Sequence, residues 1–353
     1  MIVTQAVEDF QQRIRTSAQA RSPLRIRGGG SKDFYAAALR GDVLDTRGFT
    51  GVVEYDPTEL TITARAGTPL AEIEAVMGER GQMLAFEPPH FGAATLGGAV
   101  AAGLSGPRRA SAGALRDFVL GVSMLDGKGE LLRFGGQVMK NVAGYDLSRL
   151  MAGSMGTLGL ILDVSLKALP LPFAEQTLRL EMPPDVAIRS MNQWAAKPLP
   201  ISATCYDGEM LYLRLSGAER AVASARDKLG GELQGDGASF WRSVREHKHP
   251  FFAATQPLWR ISLPSATPPL VVAGEQLVEW GGALRWLVSG APAVEIRRAA
   301  ASLGGSATLF RSGADGVADF APLAPAILVI HQRLKAALDP AGIFGPGRLY
   351  PEL

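Results

Sequence analysis

Three stretches of this chain are almost stripped of side-chain bulk, and they limit what it can fold into more than any apolar pattern does. The first, PLRIRGGGSK over Pro23–Lys32, is a short apolar run flanked by arginines that ends in Gly28, Gly29 and Gly30. The second, ATLGGAVAAGLSG over 94–106, sets Gly97, Gly98, Ala99, Ala101, Ala102 and Gly103 on one length of backbone. The third spaces glycine at 153, 156 and 159, around the start of the apolar run LGLILDVSLKALP. Glycine is raised throughout, at 41 of 353 residues. Where it clusters, a phosphate, a flat ring or another backbone comes closer to the main chain than side chains allow.

The first array reads as a strand running into an anion-holding loop. Consecutive glycines permit the alternating dihedrals of a backbone nest, Ser31 adds a hydroxyl, and Arg27 and Lys32 add charge. It fits neither familiar phosphate loop. A dinucleotide fingerprint starting at Gly28 needs glycine at 33, where Asp33 stands, and a Walker loop needs Gly-Lys-Ser/Thr where this chain has Gly-Ser-Lys. A flexible turn with basic neighbours explains the loop equally well. The second array suits a flat ring or diphosphate lying on the backbone, and equally a helix packed tightly on its neighbour. In the third region Lys140 and Asn141 look exposed, Asp146 can cap a short helix and Gly153 can end it. Those jobs leave the repeat at Gly153, Gly156 and Gly159 unexplained.

Other candidates have plain readings. Arg108 and Arg109 could pair with an acidic ligand or partner, although a lone arginine pair is more often simply solvated. His247 and His249 diverge if helical; on a strand they share a face with no third ligand, so they too read as a solvated basic face. No nucleophile–base signature, zinc spacing or paired-carboxylate motif stands out, so no metal is expected and the catalytic residues stay unknown.

Composition excludes several classes. The chain is 47% hydrophobic and 20% charged, as globular proteins are, and a net charge of +2 gives no reason to expect nucleic acid. One cysteine, Cys205, excludes both a disulfide framework and an iron–sulfur cluster held by this chain alone. The N-terminus has no secretory apolar core; Val7, Phe10 and Ile14 recur at helical spacing instead. No apolar run reaches the roughly 18 residues of a spanning helix, so the expected address is the cytoplasm.

Periodicity divides the chain into three. Residues 1–172 alternate short strands and helices, with strands on either side of an Asp126-Gly127 turn. From 173 the order β-α-β-β-α, with a further strand near Glu232–Leu233, is that of a ferredoxin-like unit. More strands and helices follow to 321, and a last helix opens a C-terminal segment, 322–353. The expected class is α+β.

Together the three arrays, with DPAGIFGPGR near the C-terminus, resemble the PCMH-type FAD-binding fold of the vanillyl-alcohol oxidase family. The wording of 106–121 and 134–150 is similar to the FAD-binding subunits of glycolate oxidase within it. The resemblance implies a two-part FAD-binding domain (1–172, rejoined by 322–353) and an α+β, ferredoxin-like cap (173–321). It places Arg27, Gly28, Gly29, Gly30, Ser31 and Lys32 over the FAD diphosphate. Thr95, Leu96, Gly97, Gly98, Gly103 and Gly106 would line the flavin and its ribityl chain, with Pro89, Arg109, Gly113 and Asp117 nearby. Gly153, Gly156, Thr157, Gly159 and Ile161 would hold the adenosine side, and Gly347 and Arg348 would close the site. Ser31, where covalent relatives carry histidine, implies a non-covalent flavin.

Two departures stand out. Met155 replaces an acid of the family's Gly-Ser-Glu-Gly, and the cap lacks the histidine motif with which hydroxy-acid oxidising relatives position metal and substrate. The resemblance therefore implies divided labour. A larger FAD-containing glycolate oxidase subunit would oxidise a small 2-hydroxy acid, glycolate or D-lactate, and an iron–sulfur subunit would carry electrons onward. The complex could lie peripherally on the inner face of the cell membrane. A stand-alone flavin oxidase and a structural subunit without flavin are the alternatives.

Overall fold

Helix Ile2–Ala20 puts Ile14 in a core with Leu24, Leu44 and Phe49, and Val7 and Phe10 pack against it, as their helical spacing requires. The computed structural model describes residues 2–37, 40–136, 146–311 and 319–353. Lys140, Asn141 and the rest of 137–145 lie outside the described residues. Strands Leu24–Arg27 and Asp42–Asp45 pair in parallel, and Leu24 also bridges Phe344 from the far end of the chain. Five antiparallel strands form the next sheet, in the order Val52–Asp56, Thr61–Arg65, Leu160–Lys167, Val119–Leu125, Leu131–Gly135. Its middle strand, Leu160–Lys167, is buried along most of its length, which is why it reads as a near-continuous apolar run. Helices Leu70–Gly78 and Leu96–Ala102 pack against this sheet in the largest core, with Ile73, Met77, Leu96 and Val100 against Ile62, Val164 and Leu166.

The largest sheet has eight antiparallel strands. Strands Ala174–Glu181, Ile201–Tyr206, Met210–Gly217 and Glu232–Leu233, with helices Pro184–Ala195 and Glu219–Leu229, take the ferredoxin-like spatial order 4-1-3-2. Strands Leu258–Ser262, Glu275–Glu279, Leu284–Val288 and Ser306–Arg311 repeat that order, with helix Ala293–Ser302 before the last strand. In this repeat a loop over 263–274 stands where the first helix would be, and its absence hid the second unit from pattern reading. The units join through their second strands, at Cys205–Glu279 and Tyr206–Val278, so the strand order is symmetric about that junction.

The halves are clamped by buried charge. Arg214 of the eight-stranded sheet reaches Glu87 at 2.8 Å, and Arg108, only 7% exposed, pairs with Glu175 at 2.7 Å and takes Glu87 through its backbone N–H at 2.8 Å. The solvated reading of Arg108 is therefore wrong: its charge is spent inside the junction. Arg109 lies 4.4 Å over the ring of Trp280, whose Nε1 donates to Gly106 O at 3.0 Å. Glu246 accepts the backbone N–H of Phe91 at 2.8 Å.

After helix Pro325–Leu338 the chain returns to its beginning. Leu24 N donates to Ile343 O at 2.7 Å, and Gly345 N donates to Leu24 O at 3.1 Å. Lys335 donates to Thr157 O, Phe344 O and Asp339 Oδ2 at 2.6 to 2.8 Å, fixing the C-terminal segment against the third glycine array. Among the described residues no helix is long and apolar enough to cross a membrane.

Candidate functional site

The first two glycine arrays meet main chain to main chain. A Cβ on Gly29 would stand 1.4 Å from Ala93 O, and one on Gly28 2.2 Å from Thr95 Oγ1. Only glycine lets strand Leu24–Arg27 deliver its loop this close to the start of helix Leu96–Ala102. That helix is capped by Thr95, whose Oγ1 accepts from Gly98 N at 3.4 Å, and ended by Gly103 at φ +64°. Gly103 in turn lies against the backbone of Gly153, whose N–H donates to Val100 O at 3.0 Å. The three arrays thus build one object.

What they enclose is a cleft with main-chain walls. One lobe, about 520 Å³, is lined by Arg27–Lys32 together with Thr95, Gly98, Met155 and Arg348. A second, about 410 Å³, is lined by Thr46, Ala66, Gly97, Gly156, Gly159 and Ile161. Ile26, Gly28, Gly98, Ala101 and Met155 belong to both, so the lobes are continuous. Met155, at φ +52°, holds a left-handed conformation at their common wall.

The first lobe is built for anions. Among the described residues no acceptor takes the backbone N–H of Gly29, Gly30 or Ser31. Lys32 donates to His90 O and Ser31 Oγ, both at 3.3 Å, and burial takes its amine from 10.5 down to about 8, with Glu246 pulling the other way. Arg27 is held by Asp33 at 2.8 Å, and Arg348 donates to the carbonyls of Tyr35 and Ala37. Free amides, flanking cations and a wall without side chains fit the diphosphate of FAD; the small-residue second lobe fits a flat group.

Of the residues expected at the cofactor, Arg27 to Lys32, Thr95, Gly97, Gly98, Gly156, Gly159, Ile161 and Arg348 line this cleft. Pro89 and Gly106 line a separate pocket described below. The others stand outside both linings. Leu96 is core, Gly103 and Gly153 pack together, Thr157 Oγ1 donates to Ser154 O, and Asp117 accepts from Ala114 N near Gly113. Arg109 lies on Trp280, and Gly347 N donates to Leu353 O. The cleft residues not singled out from the sequence, Ile26, Thr46 and Ala66, carry no distinguishing chemistry; Asp33, noted there only for breaking a fingerprint, lines the cleft as the partner of Arg27.

The separate pocket, about 310 Å³, lies between the halves. Pro89, Phe91 and the backbone of Leu104–Pro107 face Arg245, His247, Arg260, Glu279, Trp286 and Phe310. Phe91 links it to the cleft, since Lys32 Nζ lies 5.5 Å from its ring. His247 is not on a solvated face: its ring stacks parallel on Phe252 at 3.9 Å and meets Trp286 edge-on at 4.6 Å. Its Nδ1 is buried without a hydrogen-bond partner. Burial, then the positive fields of Arg311 and Arg260, hold the imidazole down at about 3, so it is neutral at ordinary pH. Glu279 is 4% exposed and burial lifts its carboxyl to about 7, against the 2.8 Å bond donated by Trp286 Nε1.

A family model described as an FAD binding domain matches residues 1–135. The chain is 50% identical over 343 residues to the glycolate oxidase subunit GlcE of Escherichia coli K12, covering 97% of each. To the glycolate oxidase subunit GlcD of Bacillus subtilis 168 it is 28% identical over 186 residues, half of this chain and 38% of that one. Among solved structures, an alkyldihydroxyacetonephosphate synthase superposes with a TM-score of 0.67 at 15% identity, covering 96% of this chain and 75% of that one. At that identity the likeness is of fold alone: a two-part FAD-binding α+β fold with an α+β cap.

Proposed function

Since the chain belongs to the family of the glycolate oxidase subunit GlcE, a family of FAD-dependent oxidoreductases acting on CH–OH donors, we propose that it holds FAD non-covalently and works as one subunit of a hydroxy-acid-oxidising complex. The observation that carries the reading is the continuous cleft with main-chain walls, whose free amides at Gly29, Gly30 and Ser31 face no protein acceptor among the described residues. Bound FAD would supply two-electron acceptance; Arg27, Lys32 and the loop amides would hold its diphosphate. Non-covalent attachment follows from the loop itself, which offers Ser31 and no histidine or cysteine as a tether.

The partners of the proposal are a larger FAD-containing glycolate oxidase subunit and an iron–sulfur subunit, in line with the single cysteine of this chain, Cys205, which is fully buried. A peripheral position on the inner membrane face would follow from such a complex. The test is co-expression and reconstitution. The chain alone retains flavin that acid precipitation releases, and glycolate oxidation to an artificial acceptor rises strongly when the partner subunits are added. A colourless chain that gains no thermal stability from FAD overturns the flavin assignment. A monomer fully active on glycolate overturns the complex.

A further inference from the structure

Helix Pro325–Leu338 is built inside out. Its one buried residue is Lys335, 8% exposed and tied to three oxygens, whereas Ile327, Val329 and Ile330 stand 45, 43 and 59% exposed. Helix Glu219–Leu229 shows the ordinary arrangement, with Val222 and Ala225 inside and Glu219, Arg220, Asp227 and Lys228 in solvent. On the outer side of Pro325–Leu338, Ala326, Val329, Ile330, Arg333, Ala336 and Ala337 follow one another at helical spacing, all exposed. Arg333 is the one charge on that side. The helix carries no acid, and among the described residues Arg333 has no ion pair and no side-chain hydrogen bond. Beneath, the helix is anchored to the cleft. His331 meets Tyr350 edge-on at 6.0 Å, Tyr350 meets Phe320 at 5.9 Å, and Phe320 meets Tyr35, whose carbonyl accepts from Arg348 of the cleft, at 5.9 Å. A contiguous apolar face on a helix fixed in this way marks an interaction surface.

We propose that this face docks another subunit of the hydroxy-acid-oxidising complex, one that offers an apolar surface with a carboxylate opposite Arg333. Charge decides the occupant. Two copies of this chain meeting here across a two-fold axis would bring both Arg333 side chains onto one small patch, with no acid on either helix to pair them. A lipid surface needs a basic cluster beside the apolar residues, and one arginine is not a cluster. A different chain supplies both halves of the match: apolar area for Ile327, Val329 and Ile330, and an anion for the unpaired guanidinium. That the partner is a subunit of the complex rests on the proposed function; the docking face rests on the helix alone.

Co-purification of the full FAD-loaded chain with the larger flavin subunit and the iron–sulfur subunit tests it. Ile330→Glu and Arg333→Glu each weaken the association by about tenfold or more, and Arg333→Lys keeps most of it. Flavin content and circular dichroism stay as in wild type, because both positions are exposed. In the wild-type complex, hydrogen exchange at the amides of 326–337 slows by about tenfold or more against the free chain, a reading that needs no variant. Unchanged exchange there, or full association by both Glu variants, overturns the docking face and leaves the complex standing. A wild-type chain that joins neither subunit overturns the complex itself, and this occupant with it. Two further outcomes overturn the occupant and keep the face. One is self-association of the wild-type chain that Ile330→Glu abolishes, which assigns the face to a second copy. The other is binding to phosphatidylglycerol vesicles lost in the same variant, which assigns it to lipid.

Discussion

The two cavities, side by side across Phe91, are built by opposite means. The cleft is shaped by side chains that are missing, so that backbone meets backbone at Gly28–Thr95, Gly29–Ala93 and Gly103–Gly153. The pocket is shaped by side chains that are large and aromatic or titratable, His247, Arg260, Glu279, Trp286 and Phe310, carried on one helix end and four strands of the cap. Backbone walls are suited to a large ligand whose phosphates want amides, whereas side chains this large fill most of the space between the halves. The contrast also says how each is broken: the cleft by adding atoms, the pocket and its junction by removing them.

The junction should be the more fragile. Glu87 takes the guanidinium of Arg214 and the backbone N–H of Arg108, and deleting the carboxylate leaves a buried guanidinium short of its anion and a buried N–H without its acceptor. Glu87→Ala is expected to destabilise the chain by about 3–5 kcal/mol, read from urea unfolding midpoints. A loss below about 1 kcal/mol would mean that solvent reaches the junction and that the halves are not clamped by charge.

Within the pocket the next effect depends on pH. Burial raises Glu279, against Trp286, Arg260 and Arg214, and with Glu87 pushing in the same direction; Cys205 and the neutral His247 are its other titratable neighbours. A carboxyl whose folded value is raised stabilises fully below its unfolded value near 4.5 and loses that contribution as pH climbs through about 7. The shift corresponds to about 3 kcal/mol at one unit per roughly 1.4 kcal/mol. Glu279→Gln, which keeps an acceptor for Trp286, should therefore match wild type at pH 4.5 and exceed it in stability at pH 8. Parallel stability–pH curves for the two proteins would show that Glu279 is ionised in the native state throughout.

Adding atoms to the cleft has a smaller effect on the fold and a specific one on flavin. In Gly29→Ala the new methyl meets Ala93 O head-on and the loop must move, an overpacking penalty of roughly 1–3 kcal/mol. Charged to the binding-competent loop, that is about a 10- to 100-fold loss in FAD affinity, with circular dichroism little changed. Gly48→Ala, where nothing lies within 4 Å of the added atom, is the control and should leave FAD affinity unchanged. Equal affinities for both variants would mean that the loop is already displaced when FAD binds.

The same contrast explains what the sequence shows. The cleft is legible because its defining residues are contiguous: Arg27–Lys32 and 94–106 are each one unbroken array, and glycine announces close approach wherever it stands. The first ferredoxin-like unit is legible for a similar reason, its strands and helices following one another at regular spacing. The pocket is not. Arg260 and Glu279 are separated by 263–274, Phe91 and Trp286 lie on different halves, and each alone is an ordinary core or strand residue. His247 is the sharpest case. Its neighbours Lys248 and Glu246 suggest a polar face, yet a left-handed turn at φ +51° carries its ring into the aromatic cluster. Arg108 was hidden likewise, since its carboxylates come from positions 87 and 175.

The smallest effect expected, and the one that joins the two cavities, concerns Lys32. Its amine lines the cleft, donates to Ser31 Oγ, and lies over Phe91 of the pocket wall. Burial lowers it to about 8 and the Glu246 carboxylate limits the fall. Without ligand, the proton is therefore half lost near pH 8, far below a free lysine. A diphosphate beside it favours the charged form, so binding FAD at higher pH requires taking up a proton. FAD affinity should hold steady below pH 7.5 and weaken above it, by up to about tenfold for each pH unit until the value of the bound state is reached. Lys32→Met should bind more weakly at pH 7 yet lose the pH dependence, because the titrating group is gone. Fluorescence titration of FAD from pH 6.5 to 9.5 decides it. A wild-type curve as flat as that of Lys32→Met would place the amine away from the phosphates and leave the anion site to the loop amides alone.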